Sequence, residues 1–198
     1  MKSLFLIRHG KASLEGDEKD RGLTPEGETQ ANQLSALLLL LKPKIGEIYS
    51  SPYRRAILTA EPFSKSTEIN IQIVEDLREK TMSTEPIEDL NKERRKMWDD
   101  FSYRLPGGET SQEVQDRAVV ALQGIVKSMS SEGAACFSHG NLIGHVLKKF
   151  IPDFGFDDWR SMGMPDIYRL DYSDVSSNPA VTHVNCEGVD TFKISVNK

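Results

Sequence analysis

The chain has 198 residues and a formal net charge of -5, from 25 basic and 30 acidic side chains. This length suits one domain with a sizeable core, and two domains are not expected. A negatively charged chain has no overall basic field to attract nucleic acid, so an anionic ligand would need a local basic pocket.

The first predicted element ends on residues with chemical potential. Residues 4–10, Leu-Phe-Leu-Ile-Arg-His-Gly, predict a buried strand that ends on a cation, an imidazole and a glycine. Arg8 is suited to holding an oxyanion through two hydrogen bonds, and His9 to acting as a base, a metal ligand or a nucleophile. Gly10 lets backbone N–H groups approach a ligand closely. Alone the triplet decides nothing, because it occurs by chance in roughly one chain in a hundred of this length.

An exposed loop and a helix follow the first strand. Residues 11–22 are polar and charged, which is typical of a surface loop. Thr24 and Pro25 form an N-cap and first-turn pair that predicts a helix running to about Leu41, and Pro43 ends it.

A second strand and helix repeat this order. Residues 45–49 predict a short strand, and Ser51, which precedes a proline, predicts the cap of a helix that runs through about Ser64. If Ser51 caps that helix, Arg55 lies in its first turn. Free N–H groups and the positive end of the helix dipole favour a phosphate there.

An insertion interrupts the alternation of strands and helices. Residues 69–74 predict a third strand. Residues 81–109 are then polar, include a predicted short helix near Trp98 and end in Pro-Gly-Gly. Insertions of this kind often form substrate caps. We therefore predict a single domain over residues 1–198 with a cap insertion at about 81–109.

Regular structure returns at Thr110, where a capping box opens a helix that Gly133 is predicted to end. An apolar strand at 134–137 then leads to His139 and a helix over 142–150. The remaining strand candidates, which could include an edge hairpin, are 167–172 and two runs within 181–196.

Alternating strands and helices predict an α/β fold, a three-layer α/β/α sandwich with a mainly parallel sheet. Both His9-Gly10 and His139-Gly140 directly follow apolar strands. A parallel sheet would place the two imidazoles at one edge, where such folds bind ligands. A single histidine is more often structural, but two at matched strand ends favour a site.

Five stretches of the sequence carry a resemblance to a known family. In chain order they are Leu-Ile-Arg-His-Gly at 6–10, Leu-Thr-Pro-Glu-Gly-Glu-Thr-Gln-Ala at 23–31, Ser-Ser-Pro-Tyr-Arg-Arg-Ala-Ile-Leu-Thr-Ala at 50–60, Pro-Gly-Gly-Glu-Thr at 106–110 and Ser-His-Gly-Asn at 138–141. Together they resemble the histidine phosphatase superfamily, the phosphoglycerate mutase-like enzymes. The order matches that of the family, and the resemblance covers most of residues 1–150.

The resemblance implies a role for each strand-end residue. His9 would be the nucleophile that becomes phosphohistidine, and its neutral form is the reactive one. Arg8, Arg55 and His139, with Gly10 and Gly140 beside them, would form the phosphate pocket and stabilise the charge on the transferring oxygens. No metal and no cofactor would be required. The chain also lacks a His-Glu-x-x-His motif and a Walker phosphate loop.

Glu79 matches the position of the family's proton donor, which would protonate the leaving alkoxide and then activate water. Glu75, Asp76 and Glu85 lie close to it in the sequence, and charged runs are often solvated faces. The identity of the donor therefore stays open among these carboxylates at this point.

Departures from the family pattern bear on the substrate. Lys11 stands where many members have Glu or Gln, which could add a cation near the mouth of the site. The short loop around Gly16 is similar to bacterial phosphohistidine phosphatases, but those chains generally lack a long insertion and the donor glutamate. Mutases tend to have a Gly-x-x-Glu-Gly-like element after the glutamate, which is absent here.

We therefore expect a metal-independent phosphomonoester hydrolase that acts on a phosphorylated small molecule. The alternatives are a phosphohistidine protein phosphatase, a phosphoglycerate mutase and a non-catalytic module that binds a phosphorylated ligand. Cys136 and Cys186 are too few for a disulfide framework, and the apolar runs are too short for a signal or membrane segment. These features predict a cytoplasmic protein without a membrane partner.

Overall fold

The computed structural model describes residues 1–175 and 177–184. Its strands and helices largely alternate along the chain. The strands are β1 (Lys2–Arg8), β2 (Ile45–Ser50), β3 (Ile71–Ile73), β4 (Gly133–Ser138), β5 (Asp166–Tyr172) and β6 (Ala180–Val184), and the helices are α1 (Pro25–Leu40), α2 (Arg54–Thr67), α3 (Leu90–Asp99), α4 (Ser111–Ser128), α5 (Gly140–Phe150) and α6 (Phe156–Ser161).

The six strands form one sheet in the order β3-β2-β4-β1-β5-β6. Strands β1 to β4 run parallel to their neighbours among these four, whereas β5 and β6 pair antiparallel. This confirms the α/β class and the mainly parallel sheet. The β5–β6 pair is a hairpin at the sheet edge, and the strand candidates beyond residue 184 lie outside the described residues.

Alternate side chains of β1 show how the three layers form. Leu4 and Leu6 belong to a buried cluster shared with α4 and α5, whereas Phe5 and Ile7 belong to a second cluster shared with α1 and α2. Burying each such side chain contributes about 1.5–3 kcal/mol. The central strand is therefore covered by helices on both faces, as the continuous apolar run predicts.

Local capping explains where two of the helices begin. The Thr24 hydroxyl accepts a hydrogen bond from the Gly27 amide at 3.1 Å, and Pro25 occupies the first turn of α1. Thr110 and Glu113 form the predicted reciprocal capping box at the start of α4. Both predicted starts are confirmed.

The prediction that Ser51 caps the second helix is wrong. Helix α2 begins at Arg54, with Tyr53 as an N-cap that makes no side-chain capping bond. The Ser51 amide still donates to the Phe137 carbonyl of β4 at 2.9 Å, so Ser51 extends the sheet. Proline also disfavours helical backbone at the residue before it, which here is Ser51. Arg55 nevertheless lies in the first turn of α2.

Gly133 begins a strand and does not end a helix, which corrects a second prediction. Helix α4 stops at Ser128, and Gly133 is the first residue of β4. A Cβ atom at Gly133 would lie 2.8 Å from the Lys44 carbonyl oxygen. The glycine is therefore explained by close packing of backbones. Strand β3 is also shorter than the predicted 69–74.

The segment at 81–109, which was predicted to be an insertion, is closed at its base, and its helix α3 packs on the rest of the chain. Thr81 and Glu109, near its two ends, are joined by backbone and side-chain hydrogen bonds of 2.8 and 2.9 Å. Trp98 of α3 is buried against the rings of His145 and Trp159. Trp98 is thus a packing residue. Among the helices that the structure describes, none is long and apolar enough to cross a membrane.

Candidate active site

The parallel pairing of β1 with β4 brings the two strand-end histidines together. Arg8 lies opposite Ser138 in the register, and the His9 amide donates to the Ser138 carbonyl at 3.1 Å. The His9 and His139 ring centroids are 5.2 Å apart. The structure therefore places both imidazoles at one edge of the sheet, as the sequence pattern predicts.

The hydrogen bonds of His9 define its tautomer. Its Nδ1 lies 2.7 Å from the Gly10 carbonyl oxygen, which only accepts, so Nδ1 carries the proton. Neutral imidazole then keeps its lone pair on Nε2. Arg55 Nε donates to that Nε2 at 3.1 Å. The unprotonated Nε2 of His9 thus faces a guanidinium inside the site.

The surroundings of His9 keep it neutral. Its pKa is lowered to about 3, chiefly by burial and also by the positive charges of Arg55, Arg8 and Arg21, and the hydrogen bond to the Gly10 carbonyl opposes this only in part. Nε2 is therefore unprotonated near neutral pH, with its lone pair accepting the hydrogen bond from Arg55. This is the protonation state that nucleophilic attack on phosphorus requires.

Three hydrogen bonds, one to His9 and two to Glu18, hold the Arg55 side chain in place. Its side chain is 1% exposed, and burial lowers its pKa against the attraction of Glu18. Nε contacts His9, Nη1 donates to the Glu18 carbonyl, and Nη2 donates to a Glu18 carboxylate oxygen at 2.7 Å. The guanidinium also lies 5.0 Å from the Tyr53 ring centroid. The group is consequently fixed beside Nε2 of His9.

Arg8 is anchored on the opposite side of the site, by the segment before β5. Its Nη1 donates to the carbonyl oxygens of Met162 and Gly163 at 2.8 and 3.1 Å. Nε is buried and has no hydrogen-bond partner within the described part of the chain. A Cβ at Gly140 would lie 3.0 Å from this Nε, so the glycine leaves room for the guanidinium. Arg8 is thus positioned with an unused donor.

His139 has a different environment from His9. It is fully buried as the N-cap residue of α5, and its Nε2 lies 2.7 Å from the Ser51 hydroxyl. Burial, followed by repulsion from His9 and Arg55, keeps its pKa well below the usual value. Its Nδ1 has no partner among residues 1–175 and 177–184. The ring is therefore neutral and held by one hydroxyl.

Glu79 comes from the segment that follows β3, and its side chain lies next to the first residues of α5. Its carboxylate accepts hydrogen bonds from the Lys80 amide at 2.8 Å and from the Asn141 and Leu142 amides at 3.3 Å. Its charge raises the pKa of Arg8 against the larger lowering by burial. Glu79 is thus beside the pocket.

The other acidic candidates for a proton donor lie in more open positions. Glu75, Asp76 and Glu85 are exposed, and Asp76 pairs with Arg78. Glu79 is only partly exposed and is the one whose carboxylate is hydrogen-bonded to the α5 amides beside His139. The geometry therefore favours Glu79 among the four carboxylates.

Sequence reasoning missed several residues that border the site. Thr59 accepts a hydrogen bond from the Gly10 amide at 3.1 Å, and the Tyr53 ring packs 5.1 Å from the His139 ring. Arg21 pairs with Glu18, the partner of Arg55, and its charge also lowers the pKa of His9. Arg94, from the insertion, has the same effect on Arg8. The only signal in the sequence for the two arginines is their charge within polar segments.

Lys11 does not add a free cation to the site. Its ammonium group pairs with the Glu26 carboxylate in the first turn of α1. The residue is exposed and its charge is balanced locally. In the two described ranges, no group of three or more His, Cys, Asp and Glu side chains could hold a metal ion.

The chain matches a known protein family over most of its length. Residues 4–185 match the family model described as "Histidine phosphatase superfamily (branch 1)". The match includes every strand-end residue of the site and the whole insertion.

Two curated relatives and a solved structure resemble the chain over nearly its full length. "Probable phosphoglycerate mutase GpmB" of Salmonella choleraesuis is 28% identical over 219 residues, covering 98% of this chain and 100% of the relative. "Putative phosphoserine phosphatase 2" of Hydrogenobacter thermophilus is 28% identical over 215 residues, with 100% and 96% covered. The structure of a mycobacterial glucosyl-3-phosphoglycerate phosphatase superposes with a TM-score of 0.74 at 20% identity, covering 92% and 96%. The fold is thus shared with phosphoglycerate mutase-like phosphatases.

Proposed function

The chain belongs to the histidine phosphatase superfamily of phosphatases and mutase-like enzymes, and from that premise we propose that it hydrolyses phosphomonoesters through a phosphohistidine on His9. One observation carries the proposal. Nε2 of the neutral His9 is unprotonated and lies beside Arg55, while the proton on Nδ1 is donated in a hydrogen bond to the Gly10 carbonyl. Such an atom can attack phosphorus without first losing a proton.

In the first step, His9 Nε2 forms a bond to phosphorus and the bond from phosphorus to the ester oxygen breaks. Glu79 gives its proton to the leaving alkoxide. In the second step, the Glu79 carboxylate takes a proton from water, whose oxygen attacks phosphorus as the bond to Nε2 breaks. Orthophosphate leaves, and both His9 and Glu79 return to their starting states.

The arginines supply the electrostatic part of the reaction. Arg8 and Arg55 flank His9 and would hold the phosphoryl oxygens, with His139 on the remaining side and Gly10 and Gly140 allowing close approach. Charge of this kind, fixed before the reaction, stabilises the transition state without a metal ion. The buried Nε of Arg8, which lacks a hydrogen-bond partner in the described residues, is a donor suited to a phosphoryl oxygen.

We propose a phosphorylated small molecule as the substrate. The relative from Hydrogenobacter is named for phosphoserine, and the charge of Arg94, which lies on α3 within residues 81–109, contributes to lowering the pKa of Arg8. A cap of this kind would enclose a small substrate.

The experiment that tests the role of Glu79 compares leaving groups. Replacement of Glu79 by Gln should slow enzyme phosphorylation by about 10²–10⁴-fold with an alkyl phosphate such as phosphoserine. The loss should be much smaller with p-nitrophenyl phosphate, whose leaving group departs without a proton. Rapid-quench measurement of the first turnover separates this step from hydrolysis of the phosphoenzyme. Equal losses with the two substrates would contradict the donor role.

A mutase is the second candidate, because the Salmonella relative is named as a phosphoglycerate mutase. A mutase returns the phosphoryl group to an organic hydroxyl, whereas a phosphatase transfers it to water. Phosphorus NMR of a reaction with 3-phosphoglycerate distinguishes the two. Accumulation of orthophosphate supports the phosphatase, and conversion to 2-phosphoglycerate without orthophosphate supports the mutase.

A further inference from the structure

Glu18 reaches from the 11–22 loop into the phosphate pocket. One of its carboxylate oxygens accepts a hydrogen bond from Arg55 Nη2 at 2.7 Å, and the carboxylate also pairs with Arg21 Nη2 at 2.8 Å. Glu18 itself is 56% exposed, whereas Arg55 is 1% exposed. An exposed carboxylate is thus bound to a buried guanidinium of the pocket.

The position of this carboxylate matters because it uses the donors that a phosphate would need. Arg55 Nε contacts the His9 nucleophile, and the other two nitrogens contact Glu18. A phosphoryl group on His9 Nε2 would bring its oxygens to the same guanidinium. Two anions at one cation repel each other, so the weaker ligand is displaced.

We propose that Glu18 is an internal competitor of the substrate phosphate, so that it sets the affinity of the pocket for phosphoryl groups. The inference rests on the proposed function and adds a specificity-determining residue to it. A phosphomonoester dianion carries twice the charge of the carboxylate and displaces it from Arg55. A singly charged carboxylate or phosphodiester has no such advantage over Glu18.

The loop has separate attachments that do not involve the carboxylate. The Glu18 carbonyl accepts from Arg55 Nη1, and the Lys19 carbonyl accepts from the Arg54 amide at 3.0 Å. These backbone bonds remain when Glu18 is replaced by Gln. The substitution therefore removes the charge while the loop stays attached to the start of α2.

The test measures binding of orthophosphate, the reaction product, by titration calorimetry of the intact protein. Glu18→Gln should bind orthophosphate about fivefold more tightly than the wild type, which is the range for losing a partly exposed ion pair. Glu15→Gln, an exposed glutamate on the same loop, is the matched control and should bind like the wild type.

Kinetics supply a second readout. The Glu18 carboxylate competes for Arg55 equally with the phosphoryl oxygens of the bound substrate and with those of the transition state. Glu18→Gln should therefore lower KM about fivefold and leave kcat unchanged. Unchanged or weaker orthophosphate binding by Glu18→Gln, or a fall in kcat, would overturn the inference and make Glu18 a residue that positions Arg55. If no variant and not even the wild type bound orthophosphate, the proposed function itself would fail.

Discussion

The ends of β1 and β4 carry the same His-Gly pair on neighbouring parallel strands, yet the two histidines have different surroundings. His9 donates Nδ1–H to a carbonyl and receives a guanidinium N–H at Nε2. His139 is fully buried, caps α5 and contacts the Ser51 hydroxyl. The His9 ring therefore has an unprotonated Nε2 beside a cation, whereas the His139 ring is a buried, neutral group that contacts a hydroxyl.

This difference shows that a strand-end motif determines the position of an imidazole but not its chemical role. The role comes from residues far away in the sequence. Arg55 donates a hydrogen bond to the unprotonated Nε2 of His9, and the Ser51 hydroxyl contacts Nε2 of His139. The comparison can be tested by changing His139, the two glycines, His145 and Ser51.

Replacement of His139 by Ala should give the largest loss among these comparative variants. Removing one group that stabilises the transferring phosphoryl oxygens costs about 10²–10³-fold in kcat. The phosphoenzyme should still form, because His9 is untouched. Rapid-quench kinetics with p-nitrophenyl phosphate measure both quantities. If phosphoenzyme no longer formed, the two histidines would share one role and the contrast drawn here would be wrong.

The two glycines should respond to alanine in different ways. A Cβ at Gly10 would lie 2.9 Å from the backbone oxygen of Gly27, and backbone cannot move away cheaply. Gly10→Ala should therefore lower the free energy of unfolding by about 1–3 kcal/mol. At Gly140 the nearest group is the Arg8 guanidinium at 3.0 Å, which can shift by a few tenths of an ångström.

For Gly140→Ala we expect little change in stability and a KM raised several-fold, since displacement of Arg8 weakens phosphate binding. Urea unfolding and steady-state kinetics on both variants separate the two effects. The reverse pattern, with KM affected only by Gly10→Ala, would show that Arg8 does not depend on Gly140 for its position.

His145 offers a third buried histidine, on α5 but away from the pocket. Burial, followed by the charges of Lys80 and Arg117, holds its pKa well below the usual value. Below pH about 6.5 the unfolded chain binds a proton that the folded chain does not, so each such histidine lowers stability as the pH falls. The cost is about 1.4 kcal/mol per pH unit for one histidine.

Replacement of His145 by Leu should therefore make stability fall less steeply between pH 6.5 and pH 5, while kcat at neutral pH stays within a factor of two or so. Urea unfolding at several pH values measures the slope. Its two ring nitrogens have no hydrogen-bond partner in the part of the chain that the structure describes, so Leu removes no such bond. An unchanged slope would mean that His145 is protonated in the folded state.

A much smaller loss of activity than that of His139→Ala is expected from Ser51→Ala. This change removes the 2.7 Å hydrogen bond to His139 and the acceptor for the Tyr53 amide. A neutral hydrogen bond contributes about 0.5–1.5 kcal/mol, so kcat/KM should fall about three- to tenfold. A loss as large as that of His139→Ala would show that Ser51 acts directly on the phosphoryl group.

Much of the fold follows from the sequence because its signals are local. Apolar runs, the Thr24 cap and the Thr110 capping box specify strands and helix starts, and the parallel order then brings His9 and His139 to one edge. The cap at Ser51 was predicted wrongly, because its amide is committed to β4, a contact between residues far apart in the chain.

The contacts that give the site its chemistry are also distant in sequence. Glu18 meets Arg55 across 37 residues, and Glu79 meets the α5 amides across more than 60. No local pattern encodes such pairings, since they depend on how the loops lie across the finished sheet. Lys11 illustrates the converse, because a residue adjacent to the site is neutralised by Glu26 instead of facing the pocket.

The central claim is that His9 carries the phosphoryl group, and the most direct measurement is to quench the reaction of the wild type with p-nitrophenyl phosphate and locate the label by mass spectrometry. The account predicts an acid-labile phosphoryl group on His9, and an activity loss on the order of 10⁴-fold or more in a folded His9→Ala variant. A phosphoryl group found on His139 or another residue, or His9→Ala activity equal to that of the wild type, would contradict the claim.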